Sequence, residues 1–462
     1  MSPSDRNESH RFAIADLGPR KVASPYRARR YVSDHERSLH RATTPSPDEV
    51  DPPDRSASSA GFELAGPRET IYFDPTKTRC GIVTCGGLCP GLNDVIRAIV
   101  LQLYHYYGVE IIYGFRYGFE GLSARHGHKP LMLDPAVVSR IHQHGGSILS
   151  SSRGPQPSDE MVDALERLNI QVLFCIGGDG TLRGALDLTR EIEKRHLKIG
   201  VLAVPKTIDN DISFTARTFG FETAYSVAAQ AIRSAHVEAT GACNGIGLVK
   251  LMGRHAGFIA AHATLASRDA NFVLIPEVEF ELGGENGFLP HLLRRLQARR
   301  HAVVVVAEGA GQGLFESEPD GPQPRDASGN QRLKDIGLLL CDRISEYLRL
   351  MNVSATLKYI DPSYLIRSAP ATPSDSLFAG LLGQMAAHAA MAGKTAMFVG
   401  YWNECFTHVP IAAAVSVAKR LDPQGNFWQS VVECTGQPFN MVNDDGGSGA
   451  EELLVADAAI TV

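Results

Sequence analysis

The sequence has no apolar run that approaches the roughly 18 residues needed to cross a bilayer, so no membrane-spanning helix is expected. Nor does it have an excess of positive charge. Its 462 residues carry a formal charge of -6, which argues against a nucleic-acid partner because such proteins present a basic face. The HExxH pattern of zinc peptidases and the GxSxG pattern of serine hydrolases are both absent. With 44% hydrophobic and 21% charged residues, the composition is that of an ordinary soluble globular protein.

Cysteine is present, but without the spacing of a metal or redox site. Cys85 and Cys89 are the closest of the eight cysteines, and they do not form a CxxC pair. We expect structural or incidental roles for all eight, and a reduced, cytoplasmic compartment.

Apolar periodicity is missing from the first seventy residues, which are rich in Ser, Pro and Arg. They have no apolar region of a secretory signal, and their acidic residues balance their Lys and Arg, unlike the acid-poor composition of transit peptides. We therefore predict a mostly disordered N-terminal extension over residues 1–70, with an arm that packs on a neighbouring subunit as the alternative. The polar stretches 319–330 and 444–450 predict a surface loop and a flexible segment.

From residue 78 onward, short apolar runs alternate with glycine-rich loops and amphipathic helices. The runs at 80–84, 172–176, 199–204 and 303–307 are each followed by a polar or glycine-rich loop. Apolar residues then recur at helical spacing after several of these loops. This alternation predicts an α/β fold with mainly parallel sheets covered by helices.

Two of these loops carry glycines or carboxylates directly after predicted strands. Open α/β sheets have their ligand sites at these strand ends. GGDGT at 177–181 offers glycine backbone for phosphate at the start of a helix, which favours anions. PKTIDND at 205–211 offers Asp209 and Asp211, which are costly to bury without a metal, cation or substrate. Together the loops predict a phosphoryl-transfer centre, with turn and helix-capping roles as the alternative.

Glycine and arginine mark three further loops. Gly86 and Gly87 follow the first strand, in the same context as GGDGT. Arg153 lies in SSSRG, where a plain surface arginine is the alternative. Arg254 lies in KLMGRHAG, where the flanking glycines let backbone or ligand approach closely. The GKT at 393–395 is similar to the end of a P-loop, but a helix precedes it and a strand follows, so we reject that interpretation.

Taken in order, six segments resemble the phosphofructokinase family, from about residue 71 to beyond residue 400. The longer plant-, protist- and bacterial-type group of ATP-dependent enzymes is the most similar. The segments are GG at 86–87 with PGLN at 90–93, GGDGT at 177–181, PKTIDND at 205–211, MGR at 252–254, AEG at 307–309 and the segment 358–367.

The resemblance implies an α/β fold of two Rossmann-like lobes with mainly parallel sheets and the active site in the cleft between them. Residues 71–220 with about 367–420 would form the nucleotide-donor lobe. Residues 221–366 with the C-terminal segment would form the sugar-phosphate lobe. A homodimer or homotetramer is expected.

The resemblance also implies transfer of the ATP γ-phosphoryl group to the 1-hydroxyl of fructose 6-phosphate, a glycolytic step, with Mg²⁺ as the cofactor. Asp209 would be the base, and Thr207 would contact the moving phosphoryl group. Arg254 and Arg153 would offset its charge, while Asp179, supported by Asp211, would hold Mg²⁺. The residues expected to bind ATP are Gly86, Gly87, Arg153, Gly154, Gly178, Asp179, Gly180 and Thr181. The residues expected to bind the sugar phosphate are Thr207, Asp209, Met252, Gly253, Arg254, Glu308, Lys358, Tyr364 and Arg367.

The choice of phosphoryl donor depends on Gly180 and Lys206. Family members that use pyrophosphate typically have aspartate after GGD and lysine before TID. A carboxylate at position 180 would occupy and oppose the site of a nucleotide α-phosphate, so Gly180 leaves room for ATP. Lys206 favours a small anionic donor, but ATP users of the long group keep this lysine. We predict ATP, with pyrophosphate as the alternative.

Two positions depart from the shorter bacterial members of the family. Gly245 stands where those enzymes carry an arginine that contacts substrate across the subunit interface, and Tyr364 stands where they carry histidine. Substrate contacts across the interface therefore do not follow from the resemblance.

Two other classes are alternatives. A non-catalytic regulatory paralogue is disfavoured because Asp179, Asp209 and Arg254 are intact. A lipid or NAD kinase shares a GGDGT-like loop but lacks the TIDND segment.

Overall fold

The computed structural model describes residues 11–40, 61–315 and 332–443. The predicted loop at 319–330 and flexible segment at 444–450 lie outside these ranges. Within the described ranges, no helix is long and apolar enough to span a membrane.

Strands and helices alternate along most of the chain. The strands are β1 (Ala15–Asp16), β2 (Val22–Ala23), β3 (Arg37–Leu39), β4 (Gly61–Leu64), β5 (Thr70–Ile71), β6 (Arg79–Thr84), β7 (Ile111–Phe115), β8 (Leu131–Met132), β9 (Val172–Gly177), β10 (Gly200–Pro205), β11 (Gly245–Leu251), β12 (Phe272–Leu274), β13 (His301–Ala307), β14 (Thr356–Ile360), β15 (Lys394–Thr395), β16 (Met397–Trp402) and β17 (Cys405–Pro410). The α-helices are α1 (Leu92–Leu101), α2 (Ser158–Arg167), α3 (Asp179–Lys194), α4 (Phe221–Thr240), α5 (Phe258–Ser267), α6 (Phe288–Arg299), α7 (Ile336–Leu350), α8 (Ser363–Ser368), α9 (Pro373–Met391), α10 (Ile411–Ala414) and α11 (Asn426–Thr435).

Two sheets organise these elements into two lobes. The larger sheet has the order β3-β4-β17-β16-β10-β9-β6-β7-β8, and the smaller sheet has the order β12-β13-β11-β14. The smaller sheet is parallel throughout, as is the centre of the larger one from β16 to β7. Antiparallel strands extend the larger sheet at both edges. The predicted α/β architecture is confirmed. The larger sheet is mixed rather than wholly parallel.

The central strands are continuous apolar runs because helices cover both faces of the sheets. Every residue of β9 and β10 is buried. Helix α9 packs on α1 and β10 in the large lobe, whereas α4 packs on β11, β13 and α5 in the small lobe. A single apolar cluster continues from Val95 and Val204 in one lobe to Val249 and Val303 in the other. The lobes therefore share a core.

A buried polar contact also joins the lobes. Asp375 of α9 accepts hydrogen bonds from the backbone N of Thr223 at 2.6 Å and from the Thr223 hydroxyl at 2.7 Å, at the start of α4. Because α4 continues from the loop that carries Asp209, this contact helps to fix the approach of the small lobe to the cleft.

The predicted disorder of residues 1–70 is wrong for residues 11–40 and 61–70, which are folded against the large lobe. Phe12 is 3% exposed and Phe62 is fully buried, and their rings contact each other at a centroid distance of 4.7 Å. Strands β3 and β4 extend the large sheet beyond β17. Residues 1–10 and 41–60 lie outside the described residues.

A buried ion network holds this N-terminal segment in place. Glu63 accepts hydrogen bonds from Arg68 at 2.8 Å and from Lys394 at 3.0 Å, and its Oε1 lies 2.9 Å from Nδ1 of His408. Arg68 also donates to Asp34 at 2.8 Å. The charged residues that made this segment resemble a solvated tail are therefore neutralised inside the fold. Lys394, of the rejected P-loop motif, belongs to the same network.

The pKa of Glu63 reflects this pairing. Burial alone would raise the pKa, but the hydrogen bond and charge of His408 and the charge of Lys394 outweigh it and lower the pKa to about 2. Since the folded-state pKa lies below the ordinary value of 4.5, the stabilisation is present above that pH and is lost as the pH falls toward 2.

We predict that Glu63→Gln destabilises the protein by about 3–5 kcal/mol, because the buried cations Arg68 and Lys394 lose their buried counter-charge and keep only the half-exposed carboxylate of Asp34. Urea unfolding at neutral pH measures the change. Glu69→Gln is the matched control, since Glu69 is an exposed residue of the same segment. Equal stability of the two variants would show that the network does not anchor the segment.

Candidate active site

A cleft of about 980 Å³ opens between the two lobes. Residues that follow β6, β9 and β10 line one side, as expected for the carboxyl ends of parallel strands. Residues that follow β11 and β13 line the other side. The predicted site residues that line the cleft are Gly86, Gly87, Arg153, Gly154, Gly178, Asp179, Gly180, Thr181, Lys206, Thr207, Asp209, Arg254, Glu308 and Arg367.

The GGDGT loop turns directly from β9 into α3, a helix of 16 residues. Gly177 is required for this tight turn because a β-carbon there would lie 2.0 Å from the Thr181 hydroxyl oxygen. Asp179 begins the helix, so the backbone N–H groups of the first turn face the cleft end of the sheet. A β-carbon on Gly180 would meet no atom within 4 Å. The loop therefore offers an anion site with open space beside it.

The loop at Gly86 and Gly87 brings cations together. A β-carbon on Gly87 would lie 2.8 Å from Nη1 of Arg367 and 3.1 Å from Nη2 of Arg153. Lys206 donates from Nζ to the Gly87 carbonyl at 2.7 Å. Burial lowers the pKa of Lys206. Glycine at position 87 thus lets two guanidinium groups and an ammonium group approach one stretch of backbone, as a polyanionic ligand requires.

The PKTIDND loop is held by its own side chains. Asn210 adopts a left-handed conformation with φ of 57°, and its Oδ1 accepts from the backbone N of Thr218 at 3.1 Å. Thr207 donates its hydroxyl to Asp211 at 2.7 Å and accepts from the backbone N of Asp209 at 3.2 Å. These bonds use Asn210 and Thr207 to aim the two aspartates.

Asp209 is half-buried at the junction of the lobes, and its Oδ1 atom is buried. Within the described residues, its Oδ1 has no hydrogen-bond partner. Burial, together with the negative charges of Asp211 and Glu308, raises the pKa of Asp209 to about 7, although Arg367 and a backbone hydrogen bond from Arg254 act in the opposite direction. A half-buried carboxylate with a free oxygen and a pKa near neutrality can accept a proton from a bound ligand.

Arg254 and Glu308 come from the small lobe and meet Asp209 there. Gly309 lets their loops touch, because a β-carbon on it would lie 2.0 Å from the carbonyl oxygen of Arg254. The backbone N of Glu308 donates to the Leu251 carbonyl at 2.8 Å. Burial raises the pKa of Glu308, against the charges of Arg367 and Lys250. The cleft thus combines a carboxylate of raised pKa, cations and a second carboxylate that can accept from hydroxyl groups.

Comparison with known proteins identifies this arrangement. A family model described as Phosphofructokinase matches residues 79–390. The protein named ATP-dependent 6-phosphofructokinase from Borreliella burgdorferi is 52% identical over 388 residues, which cover 83% of this chain and 86% of that protein. The protein of the same name from Amycolatopsis methanolica is 48% identical, with 92% of each chain covered. The chain belongs to the phosphofructokinase family.

Solved phosphofructokinase structures share the fold at low sequence identity. The pyrophosphate-dependent phosphofructokinase of Marinobacter aquaeolei matches with a TM-score of 0.63 and 19% identity, over 80% of this chain and 94% of that chain. The Pichia pastoris phosphofructokinase in the T-state matches with a TM-score of 0.60 and 22% identity, over 79% of this chain and 39% of that chain. The likeness confirms the predicted two-lobe phosphofructokinase fold.

Four residues carried over by the resemblance do not line the cleft. Met252 is buried, and the Gly253 carbonyl accepts from the backbone N of Gly309 at 3.1 Å. Lys358 points away and pairs with Glu238 of α4. Tyr364 is 88% exposed on α8.

The contacts of Lys358 and Tyr364 with the sugar phosphate stay predictions, although neither side chain lines the cleft within this chain. A motif predicts where a residue lies in the sequence but not where its side chain points. Lys358 lies on β14, an edge strand of the small sheet, and its side chain is exposed to solvent. Arg367, near the C-terminal end of the same helix, lines the cleft.

Lys419 and Arg420 also line the cleft, and the sequence analysis did not predict either of them. Lys419 donates to the Asn210 side chain at 3.1 Å and to the Thr215 and Ala216 carbonyls at 2.9 and 3.0 Å. Burial lowers its pKa to about 8. No motif includes Lys419. It reaches the site because the chain passes the loop at 205–211 again near residue 419.

Carboxylates at the donor end of the cleft fit a magnesium ion, which prefers oxygen ligands. Asp179 presents an exposed carboxylate whose Oδ2 accepts from Arg183 at 2.8 Å. Asp211 also lines the cleft and shares only one hydrogen bond with Thr207 among the described residues. The carboxylate oxygens of Asp179 and Asp211 therefore have lone pairs available to bind the ion.

Proposed function

We propose that this protein is an ATP-dependent 6-phosphofructokinase. It transfers the γ-phosphoryl group of ATP to the 1-hydroxyl of fructose 6-phosphate, giving fructose 1,6-bisphosphate and ADP. The observation that carries the proposal is the half-buried, partly unpaired carboxylate of Asp209, with cations around it and a pKa raised to about 7. The name shared by the relatives agrees with it.

Asp209 is the general base. Its carboxylate takes the proton of the 1-hydroxyl as that oxygen attacks the γ-phosphorus, and the bond from phosphorus to the bridging oxygen breaks to release ADP. A base is most effective when its pKa lies near the working pH. The raised pKa of Asp209 meets this condition, whereas an ordinary aspartate would be a much weaker base.

The cations stabilise the moving group. Phosphoryl transfer needs little covalent help from the protein, and depends on alignment and positive charge around the phosphoryl oxygens. Arg254 and Arg153 offset that charge, and Thr207 contacts the group in flight. Arg367 binds the sugar phosphate, and Glu308 accepts from sugar hydroxyls.

Mg²⁺ would bind with ATP through Asp179, with Asp211 in support. When bound, the ion would neutralise part of the phosphate charge. The protein supplies the oxygen ligands and fixes Asp211 through the Thr207 hydroxyl.

The donor is ATP, because the glycine at position 180 leaves the space beside the phosphate loop open. The β-carbon of an aspartate there would meet no atom within 4 Å, and its carboxylate would repel an α-phosphate. Lys206 does not by itself select pyrophosphate, since only one of its three N–H groups is used by the Gly87 carbonyl and the other two can face the phosphates of either donor.

The assembly is a homo-oligomer, a dimer or a tetramer. Tyr364 and its neighbour Leu365 are both exposed on α8, and a second subunit that packs there would cover them. Coverage by a second subunit would also give Lys358 and Tyr364 a substrate site that they lack within their own chain.

We predict that Asp209→Ser lowers kcat by at least the roughly 10²–10⁴-fold that a positioned base contributes. Binding of fructose 6-phosphate should persist, since the cations remain. Steady-state kinetics and equilibrium binding measure the two effects. Asp163→Ser, which alters an exposed carboxylate paired with Arg195, is the control. Near-normal turnover of Asp209→Ser would remove Asp209 from the role of base.

We predict that the wild-type enzyme uses ATP in preference to pyrophosphate, and that Gly180→Asp sharply lowers kcat/KM for ATP. Side-by-side assays with both donors, fructose 6-phosphate and Mg²⁺ measure this. Gly180→Ala is the matched control, because its methyl group adds no charge and meets no atom within 4 Å. Wild-type activity with pyrophosphate alone would overturn the donor assignment, and unchanged ATP kinetics in Gly180→Asp would overturn its physical basis.

A further inference from the structure

A cluster of two histidines and a glutamate lies outside the catalytic residues. One ligand atom from each of Glu120, His126 and His128 lies within 4.8 Å of the other two. Within the described ranges, this is the one such group of three that includes histidine, cysteine or acidic side chains. We propose that these residues bind one divalent transition-metal ion of the zinc class.

The donor set selects the class of ion. Two imidazole nitrogens with one carboxylate oxygen form a ligand set that zinc sites use, with a fourth position left for water. Magnesium and calcium prefer oxygen ligands alone. The cluster is therefore chemically distinct from the carboxylates proposed to hold Mg²⁺ at the donor end of the cleft.

The spacing of the ligand atoms is close to that of a closed site. Ligands at 2.0–2.1 Å from a tetrahedral ion lie about 3.3 Å apart, so small side-chain rotations are sufficient to reach it. The rings of His126 and His128 already lie parallel, with a centroid distance of 5.9 Å. Gly127 between them has φ of 65°, a conformation that glycine adopts without strain and that brings the alternate side chains together.

The turn that carries these ligands is fixed on both sides. Ser123 accepts from the backbone N of Arg125 at 3.3 Å and donates to Glu160 of α2 at 3.0 Å, while Arg125 pairs with the same glutamate. His126 contacts the Gln156 side chain at 3.3 Å. A turn held in this way loses little further conformational freedom when an ion binds, which favours binding.

The ligands are accessible and have few competing partners. His126 is exposed, and Glu120 and His128 are half-buried, so an ion can enter from solvent. Among the described residues, no side chain donates a hydrogen bond to the Glu120 carboxylate. His128 contacts the ring of Tyr117 at a centroid distance of 4.5 Å, which fixes its ring beside the site.

The test is metal binding by purified enzyme stripped with a chelator and free of nucleotide. Cys243→Ser serves as the parent, because Cys243 is an exposed cysteine that would itself bind zinc. Calorimetric titration with Zn²⁺ should show one ion bound per chain. Titration with Co²⁺ should give the visible absorption of a nitrogen-ligated ion. Absence of stoichiometric binding by the parent would overturn the proposal.

Two double variants, each made in the parent, decide where the ion binds. His126→Asn with His128→Asn should weaken binding by 100-fold or more, since even an outer-shell partner is worth about 10–100-fold. His35→Asn with His105→Asn removes two exposed histidines elsewhere, and should bind as the parent does. Equal affinity of the two double variants would overturn the proposal.

Discussion

The active site is built around carboxylates that repel one another. Asp209, Asp211 and Glu308 lie close enough that the charges of the last two raise the pKa of the first, and burial adds to the effect. Such a group of half-buried acids is costly unless cations and donors surround it. Arg254 and Arg367 provide that compensation without pairing Oδ1 of Asp209. The remaining free oxygen is what a substrate hydroxyl can use.

This balance requires both lobes. The large lobe supplies Asp209, and the small lobe supplies Arg254 and Glu308. Their separation is held by a core that is continuous between the lobes and by the buried contact of Asp375 with Thr223. The loop at 205–211 is held by Asn210 and by the ammonium group of Lys419. The positions of its aspartates therefore depend on hydrogen bonds made by other residues.

The sequence predicted the parts of the site that belong to strand ends. Asp209 and Gly178 follow buried apolar strands, and parallel strands bring their carboxyl ends to one edge. The directions of the side chains could not be predicted in the same way. The motif therefore did not show that Lys358 and Tyr364 lie outside the cleft. The prediction for the N-terminal segment was wrong because its composition is typical of a solvated tail. Glu63 and Arg68 are buried only through tertiary contacts, in which Glu63 contacts Lys394 and His408.

The most direct test of the account is the titration of Asp209 itself. Carbon NMR of ¹³C-labelled aspartate, assigned by loss of the signal in Asp209→Ser, measures its pKa in the ligand-free enzyme. We expect a value of about 7, lowered in Asp211→Asn because one repelling charge is gone. A pKa near the ordinary aspartate value of 3.8, unchanged in Asp211→Asn, would contradict the account.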